Sequence, residues 1–430
     1  MTASAPESGD AEGRSVGTAV PPPKDWGDPT SVMQPRQPAF WLLVGLTALG
    51  AVRIGAIVGD AFRSYPTGSV LAVILLTLYA VPFFVFVYRL DLFEREPATM
   101  VAAAFSWGGL VATSLALSGN EAIFGLTSKL ASPTFAGRWG PALAAPPTEE
   151  TLKVLGVVVL VLIARDQFDS PLDGMVYGAL VGLGFQVVEN FIYSINAIAL
   201  AGGDREIGPV LGVFVLRALV GLWSHAAYTA IAGFGIGYFA SRRDRSVRYR
   251  LGVVALSFAL AFAAHFVWNS PILTEAFGEG AGILLGLLLK GIPVLILLVT
   301  MYRLARRQDA TWFRAAVAGE VGTDVLLPDE LEELMTLSSR RDVAKMVRRL
   351  RGRRAARLVR QVQHAQLDLG LACSRRGPQA ERDVEEARRT IRLLRRELAD
   401  LGVARPGTLP AAGPAQGLSS ATSSETVTNR

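Results

Sequence analysis

The stretch Pro146-Pro147-Thr148-Glu149-Glu150-Thr151-Leu152-Lys153, followed at once by the apolar run 154–164, decides how this chain is read. A spanning helix needs roughly 20 mainly apolar residues, and 141–164 is long enough to cross a bilayer. Two adjacent carboxylates and an ammonium inside such a run are costly unless they pair or serve chemistry, so function is the default reading. The bland alternative is a helix start. Thr148 would cap it, the glutamates would occupy the first turn where the dipole favours negative charge, and Lys153 would pair with Glu149 at i, i+4.

Working outward, seven more apolar runs lie near 40–59, 69–87, 98–117, 172–201, 209–240, 251–268 and 281–304. Hydrophobic residues make up 51% of the chain and charged ones only 19%, which no water-soluble core could absorb. The expected fold class is therefore all-α: a polytopic transmembrane helical bundle of about eight spans with a cytoplasmic helical C-terminal tail. The fifth and sixth runs are long, and their ends are expected to tilt or break.

Four regions follow. Residues 1–38, rich in Pro, Gly, Ser and Ala, read as a disordered segment and not as a signal peptide. Residues 39–307 carry the membrane domain, 308–403 a cytoplasmic helical hairpin or coiled-coil region, and 404–430 a disordered tail. A single cysteine, Cys373, excludes an intramolecular disulfide and a CxxC zinc site. Its place in the tail also argues against a thiol nucleophile.

Arginine sets the orientation. The linkers holding Arg242, Arg243, Arg245, Arg248 and Arg250, then Arg303, Arg306 and Arg307, should be cytoplasmic. Threading eight spans through them puts both termini on the cytoplasmic side of the cell membrane, with the segments 60–67, 120–140, 202–208 and 271–280 facing outward. The net charge of +6 is thus mainly a topology signal, and no nucleic-acid partner is expected.

Acid and base side chains recur on separate spans: Glu149 and Glu150, then Glu189, His225 and His265, in a chain with only three histidines. Adjacent carboxylates in a low dielectric cannot both ionise easily, so one can take a proton while the other holds or donates one. Glu189 lies mid-run, too deep to snorkel out. His265 and Asn269 share a helix face at i, i+4 and could bind water or an oxyanion together. At about 1.5 Å per residue, Glu149, Glu189 and His265 fall within roughly 7–17 Å of the outer boundary, and His225 lies deeper. No HExxH helix is present, no GxGD inside a span, and no rhomboid-like serine, which lowers the zincin, aspartate and serine mechanisms.

These residues together resemble the PrsW intramembrane proteases, distant relatives of the CAAX-processing and bacteriocin-processing membrane endopeptidases. Five elements carry the resemblance, in order. Asp91-Leu92-Phe93-Glu94-Arg95-Glu96-Pro97 is similar to a D-x-x-E-x-E-P linker, Glu149 to Lys153 to EExxK, and Phe185 to Glu189 to FxxxE. His225 precedes a Gly-rich run, and His265 with Asn269 resembles HxxxN.

The resemblance implies an endopeptidase that cuts single-span membrane proteins, typically an anti-sigma factor in stress signalling. Glu149, Glu150, Glu189, His225, His265 and Asn269 would be catalytic, with Lys153, Phe185, Asp91, Glu94 and Glu96 in support. A glutamate mechanism would require no cofactor. The same set of Glu149, Glu150, Glu189, His225 and His265 could instead hold zinc.

In the tail, 328–330 opens a helix-like stretch, and Val384, Ala387, Ile391, Leu394, Leu398 and Leu401 recur at alternating spacings of three and four. With an upstream helix near 342–369 and a break at 370–378, this predicts a hairpin or a homodimer through the tail. Arg348, Arg349, Arg351, Arg353, Arg354, Arg357 and Arg360 suggest contact with anionic lipid. The rival readings from other classes are a proton-coupled transporter, which would need acidic groups toward both leaflets, and a non-catalytic scaffold.

Overall fold

Inside a bilayer no water satisfies backbone N–H and C=O groups, so long apolar runs must become helices. The computed structural model describes residues 32–90, 96–221, 224–374 and 378–403, and these are helical with no β-strand, apart from one isolated bridge between Val321 and Leu326. The chain divides after Ala315 into two compact units.

In the first unit, α1 (Pro38–Ser64) and α2 (Pro66–Tyr88) each open with Pro, whose missing N–H is harmless in a first turn. Next come α3 (Ala98–Ser106), a π-turn (Trp107–Ala112) and α4 (Thr113–Leu130), forming one continuous helix, Ala98–Leu130. The segment 120–140, expected as an outward loop, is therefore almost entirely helical. After two residues the chain re-enters helix as α5 (Pro133–Ala145), capped by the Ser132 hydroxyl, which accepts from the Phe135 N–H at 3.0 Å.

A second π-turn (Pro146–Glu150) leads into α6 (Thr151–Ile163). Pro146 and Pro147 cannot donate to the carbonyls four residues earlier, which favours this wider turn. The helix thus begins well before Thr148, and the idea of a first-turn glutamate pair fails. Thr148 bonds back to the Ala144 carbonyl at 2.9 Å inside the helix.

Then follow α7 (Pro171–Leu200), α8 (Ile207–Val220), α9 (His225–Ser241), α10 (Val247–Asn269), α11 (Ile272–Phe277), α12 (Glu279–Leu289) and α13 (Gly291–Ala316). Six helices among the described residues are long and apolar enough to cross a membrane. The other two of the eight apolar runs are helical without meeting that length and apolarity. Glu149, Glu150 and Lys153 interrupt the fourth run, and in the sixth α8 ends at Val220 and α9 starts at His225, giving helices of 14 and 17 residues.

The centre of this unit is the pair α7 and α9. A Cβ placed on Gly178 would lie 2.3 Å from the Thr229 carbonyl, and one on Gly182 would lie 2.3 Å from that of His225. Together with Gly174 and Gly233 these residues form a stripe along which the two backbones touch, the arrangement that lets helices associate where lipid is as apolar as side chains. Gly108 and Gly184 bring the first π-turn equally close to α7.

The second unit contains α14 (Pro328–Leu334), α15 (Leu337–Ser374) and α16 (Pro378–Asp400). Gly352, at φ 85°, kinks α15. The stripe on α16 faces α15 within the same chain: Ile391 packs with Ala365 and Leu369, and Leu398 with Val347 and Leu358.

Candidate active site

Five helical segments converge on one buried polar cluster. The second π-turn brings Glu149 and Glu150, the start of α6 Lys153, α7 Phe185 and Glu189, the start of α9 His225, and α10 His265. A π-turn has more residues per turn, so successive side chains diverge less than in an α-helix, and both glutamates stay turned into the bundle. Both are buried. Trp107 fixes this segment from the first π-turn: its indole N–H donates to the Leu152 carbonyl at 2.9 Å, and Gly156 leaves room for the ring.

The two glutamates do different work. Glu150 Oε1 takes the Lys153 ammonium at 2.6 Å and His265 Nδ1 at 2.7 Å. Lys153 therefore pairs with Glu150 more closely than with Glu149, whose Oε2 is 3.7 Å away, because the π-turn shifts the register expected for a regular helix. Glu149 accepts from Asn120 Nδ2 at 3.0 Å through Oε1, while its Oε2 is buried and has no hydrogen-bond partner. Glu149 lines a cavity of about 340 Å³ together with Glu189, His225 and His265.

Hydrogen bonding assigns the histidine tautomers. Lys153 Nζ lies 3.0 Å from His225 Nδ1, which must accept, so His225 Nε2–H donates to Glu189 Oε2 at 2.9 Å. His265 Nδ1–H donates to Glu150, leaving Nε2 with a lone pair 3.9 Å from Glu149 Oε2. Phe185 supports the cluster from below: its ring lies 4.5 Å from the Lys153 ammonium and 5.0 Å from the His225 ring. Tyr228 stacks on His265 at 5.2 Å.

His225, expected to lie deeper than the rest, stands within the cluster because the break before α9 places it at a helix start instead of mid-span. Asn269 reaches the cavity wall, but its amide donates to the Pro141 carbonyl at 3.2 Å. Glu96 stands apart. It accepts from Tyr177, twelve residues before Glu189 on α7, or about 18 Å along the helix. Asp91 and Glu94 lie outside the described residues.

Two members of the site escaped sequence reasoning. Asn120, which also accepts from Thr148, fell in a presumed loop because hydropathy drops after Leu117. Arg217 on α8 ion-pairs with Glu189 and donates through Nε to Asn190 Oδ1 at 2.5 Å. It is the only Lys or Arg in 209–240, a signal that was there to be used.

A glutamate free to take a proton, a histidine with an open lone pair beside it and a cavity of about 340 Å³ against both suit hydrolysis. Residues 96–303 match the family model described as PrsW family intramembrane metalloprotease. The chain is 31% identical over 189 residues to Protease PrsW of Geobacillus kaustophilus, covering 44% of this chain and 73% of that protein.

The chain belongs to the PrsW family of intramembrane proteases.

It is also 28% identical over 156 residues to Protease PrsW of Oceanobacillus iheyensis, covering 36% of this chain and 61% of that one. No solved structure matches the chain significantly. As a PrsW-family member it is an intramembrane peptidase and a multi-pass membrane protein. The matched segment contains every residue of the cluster, whereas the second unit lies beyond it.

Proposed function

We propose that this protease cleaves single-span membrane proteins with Glu149 as general base. The observation that carries the assignment is the division of the pair, with Glu150 committed to Lys153 and His265, and Glu149 Oε2 unpartnered at the cavity. Glu149 takes a proton from water, whose oxygen bonds to the peptide carbonyl carbon. The same proton then passes to the leaving amine as the C–N bond breaks. His265, held in place by Glu150, orients the water through Nε2. Glu189 and His225 hold Lys153 and the far wall. Asn269 could stabilise the oxyanion only after its amide leaves the Pro141 carbonyl.

The family description names a metal, and the residues fit one. Glu149, Glu150, His225 and His265 offer ligand atoms within 4.8 Å of one another, and both Glu149 Oε2 and Glu150 Oε2 are buried without hydrogen-bond partners. Two imidazoles and two carboxylates suit zinc. These four residues would hold it once Lys153 releases the His225 Nδ1 lone pair. When bound, zinc would polarise the substrate carbonyl and make its bound water more acidic.

An anti-sigma factor is the proposed substrate and the cell membrane the proposed location, with both termini cytoplasmic. That orientation draws support from the arginines of 242–250 and 303–307. The exposed arginines 348–360 of α15 would meet anionic lipid, with no nucleic-acid partner. A homodimer through the tail would need a surface other than the α16 stripe, which α15 already covers.

The test is cleavage of single-span membrane substrates by purified protein in liposomes, comparing wild type with Glu149→Gln, Glu150→Gln and His265→Ala, each with and without a zinc chelator. Loss of at least about 100-fold in Glu149→Gln is expected. Full cleavage by that variant would reject Glu149 as base. Chelator-sensitive wild-type cleavage would move the same residues into a metal site.

A further inference from the structure

Two attachments of helix α8 to the bundle stand out among its described side chains. Among its described side chains only Val210 is buried, against Ala72, Leu76 and Ile198; most of the others are exposed. The second attachment is Arg217, near the opposite end. Its guanidinium forks: Nη2 donates to Glu189 Oε2, Nε donates to Asn190 Oδ1 at 2.5 Å, and the plane lies over the Tyr193 ring at 4.7 Å.

Glu189 Oε2 is also the atom that accepts from His225 Nε2 at 2.9 Å. One oxygen therefore joins the guanidinium to the imidazole, and the other imidazole nitrogen faces Lys153 at 3.0 Å and Glu149 Oε2 at 3.6 Å. The remaining contacts near His225 do not replace this restraint. Ser224 Oγ donates to Gln186 Oε1 at 2.9 Å and fixes the backbone before the ring, and Phe185 supports the ring face. Neither selects which nitrogen carries the proton; that choice is made by Lys153, which donates to Nδ1, together with Glu189, the acceptor that the Nε2–H form needs.

We infer that Arg217 is a positioning residue: by fixing the Glu189 carboxylate it holds His225 in the tautomer with the proton on Nε2, so that the Nδ1 lone pair points at Lys153 and Glu149. A carboxylate that orients a histidine sets both its ring angle and its tautomer, and loss of such a support typically lowers activity about 10–100-fold. Only a forked, planar donor can reach Glu189 and Asn190 at once, so lysine is an incomplete substitute. α8 thereby becomes part of the site without touching the reacting atoms.

The kinetic side of this inference rests on the proposed cleavage, and the tautomer does not, so the experiment reads both. The full chain is prepared in lipid nanodiscs with 15N-histidine. Its three histidines, His225, His265 and His364, make assignment by single substitutions direct. Wild type should show the Nε2–H form at His225. Arg217→Gln should show a mixture and a kcat at least about 10-fold lower, with KM within about 2-fold, and Arg217→Lys should fall between. Should Arg217→Gln fail to fold, Asn190→Ala, which removes one prong of the fork, should give a smaller change in the same direction. An unchanged His225 spectrum in these variants overturns the inference, as does a rise in KM alone. A tautomer shift in a protein that cleaves nothing would support Arg217's role and reject the proposed cleavage.

Discussion

Helices α7 and α10 each deliver a side chain to the same cavity, yet their surroundings are opposite. About four fifths of the apolar window of α7 is buried (78%), against 17% for the Val247–Phe277 stretch that contains α10, and α7 is the less apolar of the two. In water the more apolar helix would be the inner one. In a bilayer lipid already solvates Leu and Val, so apolar surface gives no reason to go inside, and close backbone approach and polar contacts decide instead. On α7 Gly174, Gly178 and Gly182 face α9, and Gln186, Glu189 and Asn190 all find partners. On α10 the site side of the helix is little more than the His265 face, with Ser257 and Ala261 the other buried residues.

The sharpest way to break this comparison is to add bulk to one glycine on each helix. Gly178→Leu drives a side chain into the Thr229 carbonyl and should destabilise the membrane unit by about 3 kcal/mol or more, seen as a lowered melting temperature in detergent. Gly252→Leu on α10 meets open space within 4 Å and should stay within about 0.5 kcal/mol of wild type. Equal losses would mean that α10 is packed after all.

Next comes the division within the glutamate pair. Glu150→Gln leaves the buried Lys153 without its closest anion and should lower stability by about 2 kcal/mol, since Glu149 remains 3.7 Å away as a partial substitute. Glu149→Gln removes no close ion pair and should abolish cleavage with the melting temperature unchanged. If both variants melted alike, the two carboxylates would not be distinct. Trp107→Phe keeps the ring beside Gly156 and removes the bond to Leu152, which should cost about 1 kcal/mol by the same assay.

The smallest effect belongs to the second unit, whose buried residues are mostly apolar and whose charged ones are mostly exposed. Burial, reinforced by Glu330 and Asp329, raises the Glu333 carboxyl to about 6. Its ionisation is disfavoured in the native state, so the penalty is absent below about pH 4.5, grows as pH rises through 6 and is complete by pH 7. Glu333→Gln should therefore stabilise this unit at pH 7.5 by less than about 1 kcal/mol, because half-exposed groups are screened, and should change nothing at pH 4. Labelling of Cys373, the only cysteine, reports its unfolding in the full chain.

Much of this was legible in the sequence. Helical runs follow from length and apolarity, and Glu149, Glu150, Lys153, Glu189, His225 and His265 stood out as charge where lipid should be. What was not legible depends on where a helix ends. Hydropathy placed a loop at Asn120, although α4 continues to Leu130 with Asn120 turned to the cavity. It also ran α8 into α9, because the end of α8 at Val220 and the start of α9 at His225 lie between two apolar pieces. Arg217 was visible as a lone cation, but its meaning needed Glu189 beside it.

The two π-turns, Trp107–Ala112 and Pro146–Glu150, have a consequence for how such a site can change. Each holds one residue more per turn than the helix around it, so removing a single residue would restore a regular helix there. Everything beyond the deletion would then keep its direction about the axis, because the wider turn and the regular one sweep nearly the same angle with one residue more or less. Loss of Pro147 alone would therefore spread Glu149 and Glu150 further apart around the axis while Lys153 and the rest of α6 keep their places, with every chemically active residue still in the chain. In this protein catalytic competence is a matter of counting residues as much as of choosing them.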